Sequence, residues 1–308
     1  MSSESSAVSS TWRTLSGEFA SSVEKAGRSV VAVHARRRIP SSGIHWKPGI
    51  IVTAEHTIER DEEITITLPD GRTTAATLAG RDASTDLAIL KFESGNLPTA
   101  ETGDAATVKT GNWLLAVGRT AEGAARAALT IVGVTGPALR TWRGGLLDQT
   151  IRLDRRLHPN LSGGPAVDDQ GRVLGINTSG LSRLAAVVIP ASTVERVVAE
   201  LVKKGHIGRA YLGVGMQTVR LPRNVRESLK LASETGIMVM GVEPGSPAEK
   251  AGVMLGDVLI SLDSITLHDI GDVQTFLSGD RIGKSSRASI LRNGKMVDAT
   301  ITIGERPA

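Results

Sequence analysis

The sequence predicts a mostly β protein built from two domains. Its 308 residues are enough for about two domains of ~150 residues, each with a core of its own. Only 3% of the residues are aromatic, so Val, Ile, Leu and Ala must fill the cores, which favours β-rich packing. From residue 29 to about residue 190, short β-rich runs alternate with turns such as Pro69-Asp70-Gly71, a pattern typical of an antiparallel barrel or sandwich.

The elements of the first domain follow in a simple order. An amphipathic helix is predicted over residues 12–25, with one apolar face formed by Trp12, Leu15, Phe19 and Val23. Strands are then predicted over residues 30–33, 50–52, 64–68, 87–90, 114–117, 173–176 and 186–189. A capping-box pattern at Ser192-Thr193-Val194-Glu195 predicts a second helix that stops near Gly205 and joins the two domains.

The second predicted domain begins near residue 211. Strands are predicted over residues 236–242, 258–262, 287–291 and 298–303. A helix starts at Ser246-Pro247, where the Pro suits the first helical turn. The predicted division is an N-terminal segment over residues 1–28, a first domain over 29–205 and a second over 206–308.

Composition and charge exclude several classes of protein. The net charge of +4 is spread out and lacks the dense basic and aromatic stripe of a nucleic-acid surface, so no nucleic-acid partner is predicted. The chain has no cysteine and no metal-ligand spacing of its histidines, so no metal or other cofactor is predicted. No run approaches the ~20 apolar residues of a membrane helix, and no signal peptide precedes the helix, which predicts the cytoplasm.

Three residues beside predicted strands indicate nucleophilic catalysis. His56 follows the strand over 50–52, Asp86 precedes the strand over 87–90, and Ser162 lies in a glycine-containing turn over 160–165. A Ser hydroxyl needs a neighbouring His as base, and that His needs a buried acid to fix its tautomer. The order His, Asp, Ser along a β-rich chain is that of the chymotrypsin-type triad. Backbone N–H groups of the turn, at Asn160, Leu161 and Ser162, are the predicted oxyanion hole.

The chain resembles the HtrA (DegP/DegS-like) family of trypsin-like serine peptidases. The resemblance lies in five segments in the same order, residues 51–56, 85–90, 162–165, 175–178 and 188–190. It implies a chymotrypsin-like double β-barrel that cleaves unfolded or misfolded polypeptides through an acyl-enzyme, in protein quality control. It further implies a homotrimer, assembled through residues 11–30, and a periplasmic or other extracytoplasmic location as the alternative to the cytoplasm.

The C-terminal part resembles a PDZ domain. Its carboxylate-binding loop is Tyr211-Leu212-Gly213-Val214, and the segments 242–248 and 251–259 follow the same pattern. In such a domain the loop binds a C-terminal carboxylate while the peptide adds as a strand to the sheet edge. The implied partners are apolar protein C-termini, whose binding regulates the protease domain.

The nucleophile turn departs from the family pattern. Asn160 stands where the family has Gly, two residues before the Ser, at a position expected to have positive φ, which Asn tolerates. His158, four residues before Ser162, is placed to perturb the same loop, and residues 42–49 replace the family's Gly-Ser-Gly opening. These departures leave open an alternative function, a peptide-binding chaperone or scaffold whose protease domain is catalytically impaired.

The predicted substrate pocket is formed by Ala185, Ala186, Val187 and Val188. This segment has no acidic residue, unlike the pocket of a trypsin that selects Lys or Arg. It predicts a preference for small or branched aliphatic side chains.

Overall fold

The computed structural model describes residues 2–205, 207–277 and 281–306, with residues 2–10 described by their backbone alone. The chain forms two compact units, residues 1–207 and 208–308. Residue 206, the predicted start of the second domain, lies outside the described residues. In the described part of the chain no helix is both long and apolar enough to cross a membrane, and no group of three or more His, Asp or Glu side chains could hold a metal ion.

The first unit opens with helix α1 (Ser2–Gly27), which begins well before the predicted start at Trp12. Three of the four residues on the predicted apolar face, Leu15, Phe19 and Val23, are half-buried. Phe19 packs edge-on against Trp113, with the ring centroids 5.9 Å apart, whereas Trp12 is exposed. The apolar face therefore serves mainly to attach α1 to its own unit.

A first closed barrel follows α1. Its strands are β1 (Val30–His34), β2 (Ser41–Lys47), β3 (Ile50–Ala54), β4 (Ile64–Thr67), β5 (Thr73–Asp82) and β6 (Leu87–Lys91). They close in the order β1-β2-β3-β6-β5-β4. The core is filled mainly by β-branched side chains such as Val31, Val33, Ile51 and Ile66, which are fully buried.

A second closed barrel follows the first in the same unit. The strands after β6 are β7 (Trp113–Arg119), β8 (Ala125–Gly136), β9 (Leu139–Arg140), β10 (Leu146–Leu147), β11 (Thr150–Leu153), β12 (Pro165–Val167), β13 (Val173–Thr178) and β14 (Val187–Pro190). The barrel order is β11-β14-β13-β12-β7-β8, and β9 pairs with β10 as a separate hairpin. The pair of barrels confirms the predicted double β-barrel fold.

Helix α2 (Ala191–Lys204) stops at Gly205, whose φ of 77° is left-handed, where the sequence predicted the stop. The predicted capping box does not form, and α2 begins at Ala191 without a side-chain cap. Glu195 instead accepts a hydrogen bond from Trp46 Nε1 at 2.8 Å and pairs with Lys47. The local sequence pattern predicted that Glu195 bonds to the start of its own helix, but its side chain bonds to two residues of β2 instead.

The second unit is a β-sheet with short helices. Its strands are β15 (Ala210–Tyr211), β16 (Val214–Arg220), β17 (Thr235–Val242), β18 (Val258–Leu262), β19 (Ile265–Thr266), β20 (Ser285–Arg292), β21 (Lys295–Thr302) and β22 (Gly304–Glu305). Its helices are α3 (Arg223–Leu229), α4 (Pro247–Lys250) and α5 (Ile270–Phe276). The main sheet runs β16-β17-β18-β20-β21, with β19 on β18 and β15 on β22. The predicted strands overlap β17, β18, β20 and β21, and Ser246 caps α4 as predicted.

A buried ion pair ties the loop after α4 to β20. Arg292 donates from Nε and from one terminal nitrogen to the two carboxylate oxygens of Asp257, each at 2.7 Å. The backbone N–H of Met254 donates to the same carboxylate at 2.8 Å. Burial raises the pKa of Asp257, but the hydrogen bonds from Arg292 and Met254 outweigh it and hold that pKa below its ordinary value.

Replacing Arg292 by Met should destabilise the second unit by about 3 kcal/mol, because it leaves the buried Asp257 carboxylate without its partner. Hydrogen exchange of the β18 amides in the full chain measures this loss. Because the folded pKa of Asp257 is depressed, the stabilisation is present above the unfolded value of about 3.9 and is lost as pH falls through the folded pKa. Arg287→Met breaks the exposed pair with Asp298 and should cost less than about 1 kcal/mol; an equal loss in both variants contradicts the prediction.

Candidate active site

The pairing of β3 with β6 brings His56 and Asp86 together. Ala54, the last residue of β3, pairs with Leu87, the first residue of β6. His56, in the 3-10 helix η1 (Glu55–Thr57) that follows β3, therefore lies beside Asp86. The Asp86 side chain is 2% exposed, and its φ of 60° is uncommon for a residue with a side chain. Such backbone strain is typical of functional positions.

The Asp86 carboxylate accepts hydrogen bonds that orient the His56 ring. His56 Nδ1 lies 2.8 Å from Oδ2 and 3.0 Å from Oδ1, and the backbone N–H of His56 donates to Oδ1 at 2.8 Å. The hydroxyl of Thr178 also donates to Oδ2. A proton on Nδ1 satisfies this arrangement and leaves the lone pair of Nε2 available as a base.

Ser162 lies on the second barrel, at the end of the 3-10 helix η3 (Pro159–Leu161) and before β12. A Cβ on Gly163, whose φ is 84°, would stand 2.1 Å from the carbonyl oxygen of Ser42. A Cβ on Gly164 would stand 2.1 Å from the carbonyl oxygen of Val117. The two glycines are therefore required for the nucleophile turn to approach both barrels this closely.

Ser179, which the sequence analysis missed, stands between Ser162 and His56. Its hydroxyl oxygen lies 3.1 Å from Ser162 Oγ and 3.2 Å from His56 Nε2. Within the described residues no direct hydrogen bond joins Ser162 to His56. The structure thus gathers the three predicted residues around one centre, with Ser162 linked to His56 through Ser179. The available signal was the position of Ser179 directly after Thr178, at the end of a strand that reaches the site.

The N–H groups predicted to form the oxyanion hole all donate within their own loop. Asn160 donates to Nδ1 of His158 at 3.2 Å, and Leu161 donates to the carbonyl oxygen of His158 at 2.8 Å. Ser162 donates to the carbonyl oxygen of Pro159 at 3.3 Å. In this conformation the hole is closed, because its donors already have acceptors.

Asn160 does not adopt the left-handed conformation that was expected of it, since its φ is not positive. Its side chain is buried, and Nδ2 donates to the carbonyl oxygens of Arg119 at 2.6 Å and Pro40 at 3.3 Å. Its own carbonyl oxygen accepts from Ser42 Oγ at 2.6 Å. Among the described residues, Oδ1 of Asn160 has no hydrogen-bond partner. The extra side chain, absent from a glycine, therefore anchors the loop in the 3-10 conformation.

The predicted pocket residues lead into β14. Ala186 and Val188 pack in the core of the second barrel, and Val187 belongs to the larger cluster that also contains side chains of the first barrel. Ala185 is half-buried. Val187 pairs with Thr178 across the β13–β14 ladder, which connects the segment to the site. The assignment of the pocket stays a prediction.

The predicted carboxylate-binding loop lies between β15 and β16 in the second unit. Gly213 has a φ of 78°, and a Cβ there would stand 2.2 Å from Cβ of Ser246. The carbonyl oxygens of Leu212 and Gly213 accept from the N–H groups of Ala248 and Glu243 at 2.9 and 2.8 Å. In the described part of this unit, β16 ends the strand order, so its outer edge has no strand neighbour, and α5 contacts β16.

Comparison with family models identifies both units. Residues 41–176 match a trypsin-like peptidase domain, and residues 210–303 match a PDZ domain. The first match agrees with the double barrel, and the second completes the predicted fold class.

Two curated relatives of this chain are named as serine proteases. A probable periplasmic serine endoprotease, DegP-like, from Brucella suis biovar 1 is 34% identical over 282 residues, covering 89% of this chain and 54% of that protein. This chain thus spans about half the length of the Brucella relative. A putative serine protease, HhoA, from Synechocystis is 29% identical and covers 89% and 73% of the two chains.

Solved structures agree along nearly the whole chain. The HtrA-type protease AlgW with a tripeptide is 30% identical, with a TM-score of 0.73 and coverage of 94% of this chain and 98% of that chain. AlgW with a decapeptide is 28% identical, with a TM-score of 0.76 and coverage of 94% and 99%. A serine endoprotease from Yersinia pestis is 26% identical, with a TM-score of 0.75 and coverage of 94% and 98%.

The predicted cytoplasmic location is wrong. Relatives from Brucella, Halomonas, Rhizobium and Pseudomonas are named periplasmic serine endoproteases. The cytoplasmic prediction rested on the lack of a recognisable signal peptide in the sequence. The periplasmic names of these four relatives overturn it.

Gly180→Ala tests the geometry of the His56–Asp86 pair. A Cβ on Gly180 would stand 2.7 Å from both Asp86 Oδ2 and His56 Nδ1, so the pair must separate to admit it. We expect the rate of peptide cleavage to fall at least about a hundredfold, because a base displaced from its acid loses orientation. Gly241→Ala is the matched control, since a Cβ there meets nothing within 4 Å. Similar activity in the two folded variants contradicts the prediction.

Proposed function

Because this chain belongs to the HtrA family of trypsin-like serine proteases, we propose that it is a serine endopeptidase that cleaves unfolded or misfolded polypeptides. The observation that carries this proposal is the pair of His56 and Asp86 on the first barrel, which meets Ser162 of the second barrel through one hydroxyl. The biological role of the proposed endopeptidase is protein quality control, as the family resemblance implies.

The proposed chemistry is acyl transfer. His56 Nε2 takes the proton of Ser162 as that hydroxyl oxygen attacks the peptide carbonyl carbon, and then gives the proton to the leaving amine. The Asp86 carboxylate stabilises the imidazolium that forms. Water then attacks the acyl-enzyme by the same proton transfers and restores Ser162.

The described conformation is, in this proposal, a resting state of the enzyme. Ser162 contacts His56 only through Ser179, and the N–H groups of Asn160 and Ser162 donate within their loop. An oxyanion hole contributes ~3 kcal/mol to such a reaction, so a closed hole slows it about a hundredfold or more. Activation requires the loop to turn and Ser162 to meet His56 directly.

The substrate pocket is proposed to lie at Ala185, Ala186, Val187 and Val188. The segment adjoins Thr178 through the β13–β14 ladder and carries no charge. An uncharged, aliphatic wall selects small or branched aliphatic side chains, since a Lys or Arg would lose its hydration without gaining a partner.

The second unit is proposed to bind apolar protein C-termini and thereby to regulate the first. A peptide would add as a strand to the outer edge of β16, with α5 beside it, while the loop Tyr211-Leu212-Gly213-Val214 holds the carboxylate. The solved AlgW structures with a decapeptide and a tripeptide support peptide binding as a property of such proteins.

The chain is proposed to have three parts and to assemble as a homotrimer. Residues 1–28 form the N-terminal segment, 29–205 the protease domain and 206–308 the PDZ domain, and the protein assembles as a homotrimer through residues 11–30. An extracytoplasmic location follows from the periplasmic relatives. No nucleic-acid partner is part of the proposal.

Cleavage of casein by the wild type and by Ser162→Ala tests the peptidase. We expect the variant to lose at least about a thousandfold in rate, because Ser162 supplies the hydroxyl that forms the acyl-enzyme in this proposal. Ser192→Ala, an exposed serine on α2, is the matched control and should cleave like the wild type. Equal cleavage by wild type and Ser162→Ala would falsify the proposed nucleophile. No cleavage by any form, with peptide still bound, favours the chaperone or scaffold instead.

Mapping the cut sites in casein tests the proposed substrate pocket. Cuts mainly after Lys or Arg rule out the proposed preference for aliphatic side chains.

An apolar peptide with a free C-terminal carboxylate should bind the second unit and stimulate casein cleavage. Gly213→Ala should weaken binding about tenfold or more, because its Cβ collides with Ser246 and its φ of 78° is costly for Ala. Fluorescence polarisation of the labelled peptide measures the affinity. The same peptide with an amidated C-terminus is the control, and equally tight binding of both peptides rules out carboxylate recognition.

A further inference from the structure

The peptide plane between Pro159 and Asn160 is held at both ends in its resting orientation. Its carbonyl oxygen, on Pro159, accepts from the N–H of Ser162 at 3.3 Å and from the guanidinium of Arg36 at 3.1 Å. Its N–H, on Asn160, donates to Nδ1 of His158 at 3.2 Å. The two N–H groups that an oxyanion needs, those of Ser162 and Asn160, are thus both engaged through this single plane.

The groups that flank this plane are fixed independently of it. The carbonyl oxygen of Asn160 accepts from Ser42 Oγ at 2.6 Å, and the Asn160 amide donates to the carbonyl oxygen of Arg119 at 2.6 Å. Opening the hole therefore requires a turn of the Pro159–Asn160 plane and little else. The buried Oδ1 of Asn160, which finds no partner in the described part of the chain, makes the resting conformation less favourable than its other contacts suggest.

We propose that His158 is a positioning residue that holds the nucleophile loop closed while its imidazole is neutral and releases it when the imidazole is protonated. A neutral ring with its proton on Nε2 offers the Nδ1 lone pair to the Asn160 N–H. A protonated ring carries a hydrogen on Nδ1 and can no longer accept. The Asn160 N–H then faces another donor, and turning the peptide plane relieves that contact. This inference rests on the proposed function and adds mild acid as a regulator of the same site.

The surroundings of His158 keep it neutral at ordinary pH. His158 is exposed, so only slight desolvation lowers its pKa, and the positive charges of Arg126 on β8 and of Arg36 lower it further. Arg36 also donates to the Pro159 carbonyl oxygen, so one cation both holds the plane and discourages protonation. A ring that has released the Asn160 N–H recovers a more ordinary pKa. Protonation and opening therefore favour each other, and the open fraction rises as pH falls.

The test compares casein cleavage by wild type, His158→Asn and His158→Ala between about pH 5.5 and about pH 8. The Asn side chain can accept the same hydrogen bond but does not titrate, so dividing the wild-type rate by the His158→Asn rate cancels every pH effect that the two enzymes share. We expect this ratio to rise about fivefold toward acid pH, and His158→Ala, which lacks the acceptor, to be about fivefold faster than wild type at pH ~8. His268→Asn, the same change in the second unit, should leave the pH profile unchanged. A flat ratio, or a folded His158→Ala that is no faster, overturns the proposal.

A second measurement is independent of peptidase activity. In the Ser162→Ala variant, the ¹⁵N–¹H signal of Asn160 should shift with the same midpoint as the His158 ring, and its exchange with water should accelerate below that midpoint, after correction for intrinsic exchange. If the Asn160 signal follows the ring while no form cleaves casein, the proposed function fails and the role of His158 stands. If the signal is indifferent to the ring, the role of His158 fails whatever the activity.

Discussion

The nucleophile turn depends on Ser42, the second residue of β2, which connects it to both barrels. The N–H of Ser42 donates to the carbonyl oxygen of Ser162 at 3.0 Å, and its hydroxyl donates to that of Asn160 at 2.6 Å. Arg119 of β7 donates its N–H to the same hydroxyl at 3.0 Å. Removing one partner of such a buried bond costs about 1–3 kcal/mol. Because β2 pairs with β3, which leads to His56, these bonds set the distance between nucleophile and base.

Arg119 extends this network to α1. Its buried guanidinium donates to the carbonyl oxygens of Gly27, Val30 and Gly123, and burial lowers its pKa. Its own carbonyl oxygen accepts from the amide of Asn160. The end of α1 and the nucleophile turn are therefore joined by one side chain and one backbone carbonyl.

The resting arrangement combines strain with satisfied donors. Asp86 has a positive φ, and Gly180 approaches the His56–Asp86 pair too closely for a side chain, so both require surrounding structure to hold them. In the nucleophile loop, by contrast, the N–H groups have acceptors in His158 and Pro159. The His56–Asp86 pair is thus preorganised, whereas the N–H groups of Asn160 and Ser162 are engaged within their own loop.

Sequence alone determined part of the strands, the barrel class, the PDZ resemblance and the order of His56, Asp86 and Ser162, because hydrophobic periodicity, turn residues and motif order are local properties. It missed β2, β5, β8, β11 and β12 among the strands of the two barrels. It did not determine that Glu195 leaves its helix start for Trp46, that Ser179 stands between Ser162 and His56, or that His158 accepts from Asn160. The first two depend on partners more than a hundred positions away. The third depends on the 3-10 turn, which the network around Ser42 and Arg119 selects over the left-handed loop that the motif predicted. Such contacts are decided by which strands pair and how closely the barrels approach, and only the tertiary structure fixes those.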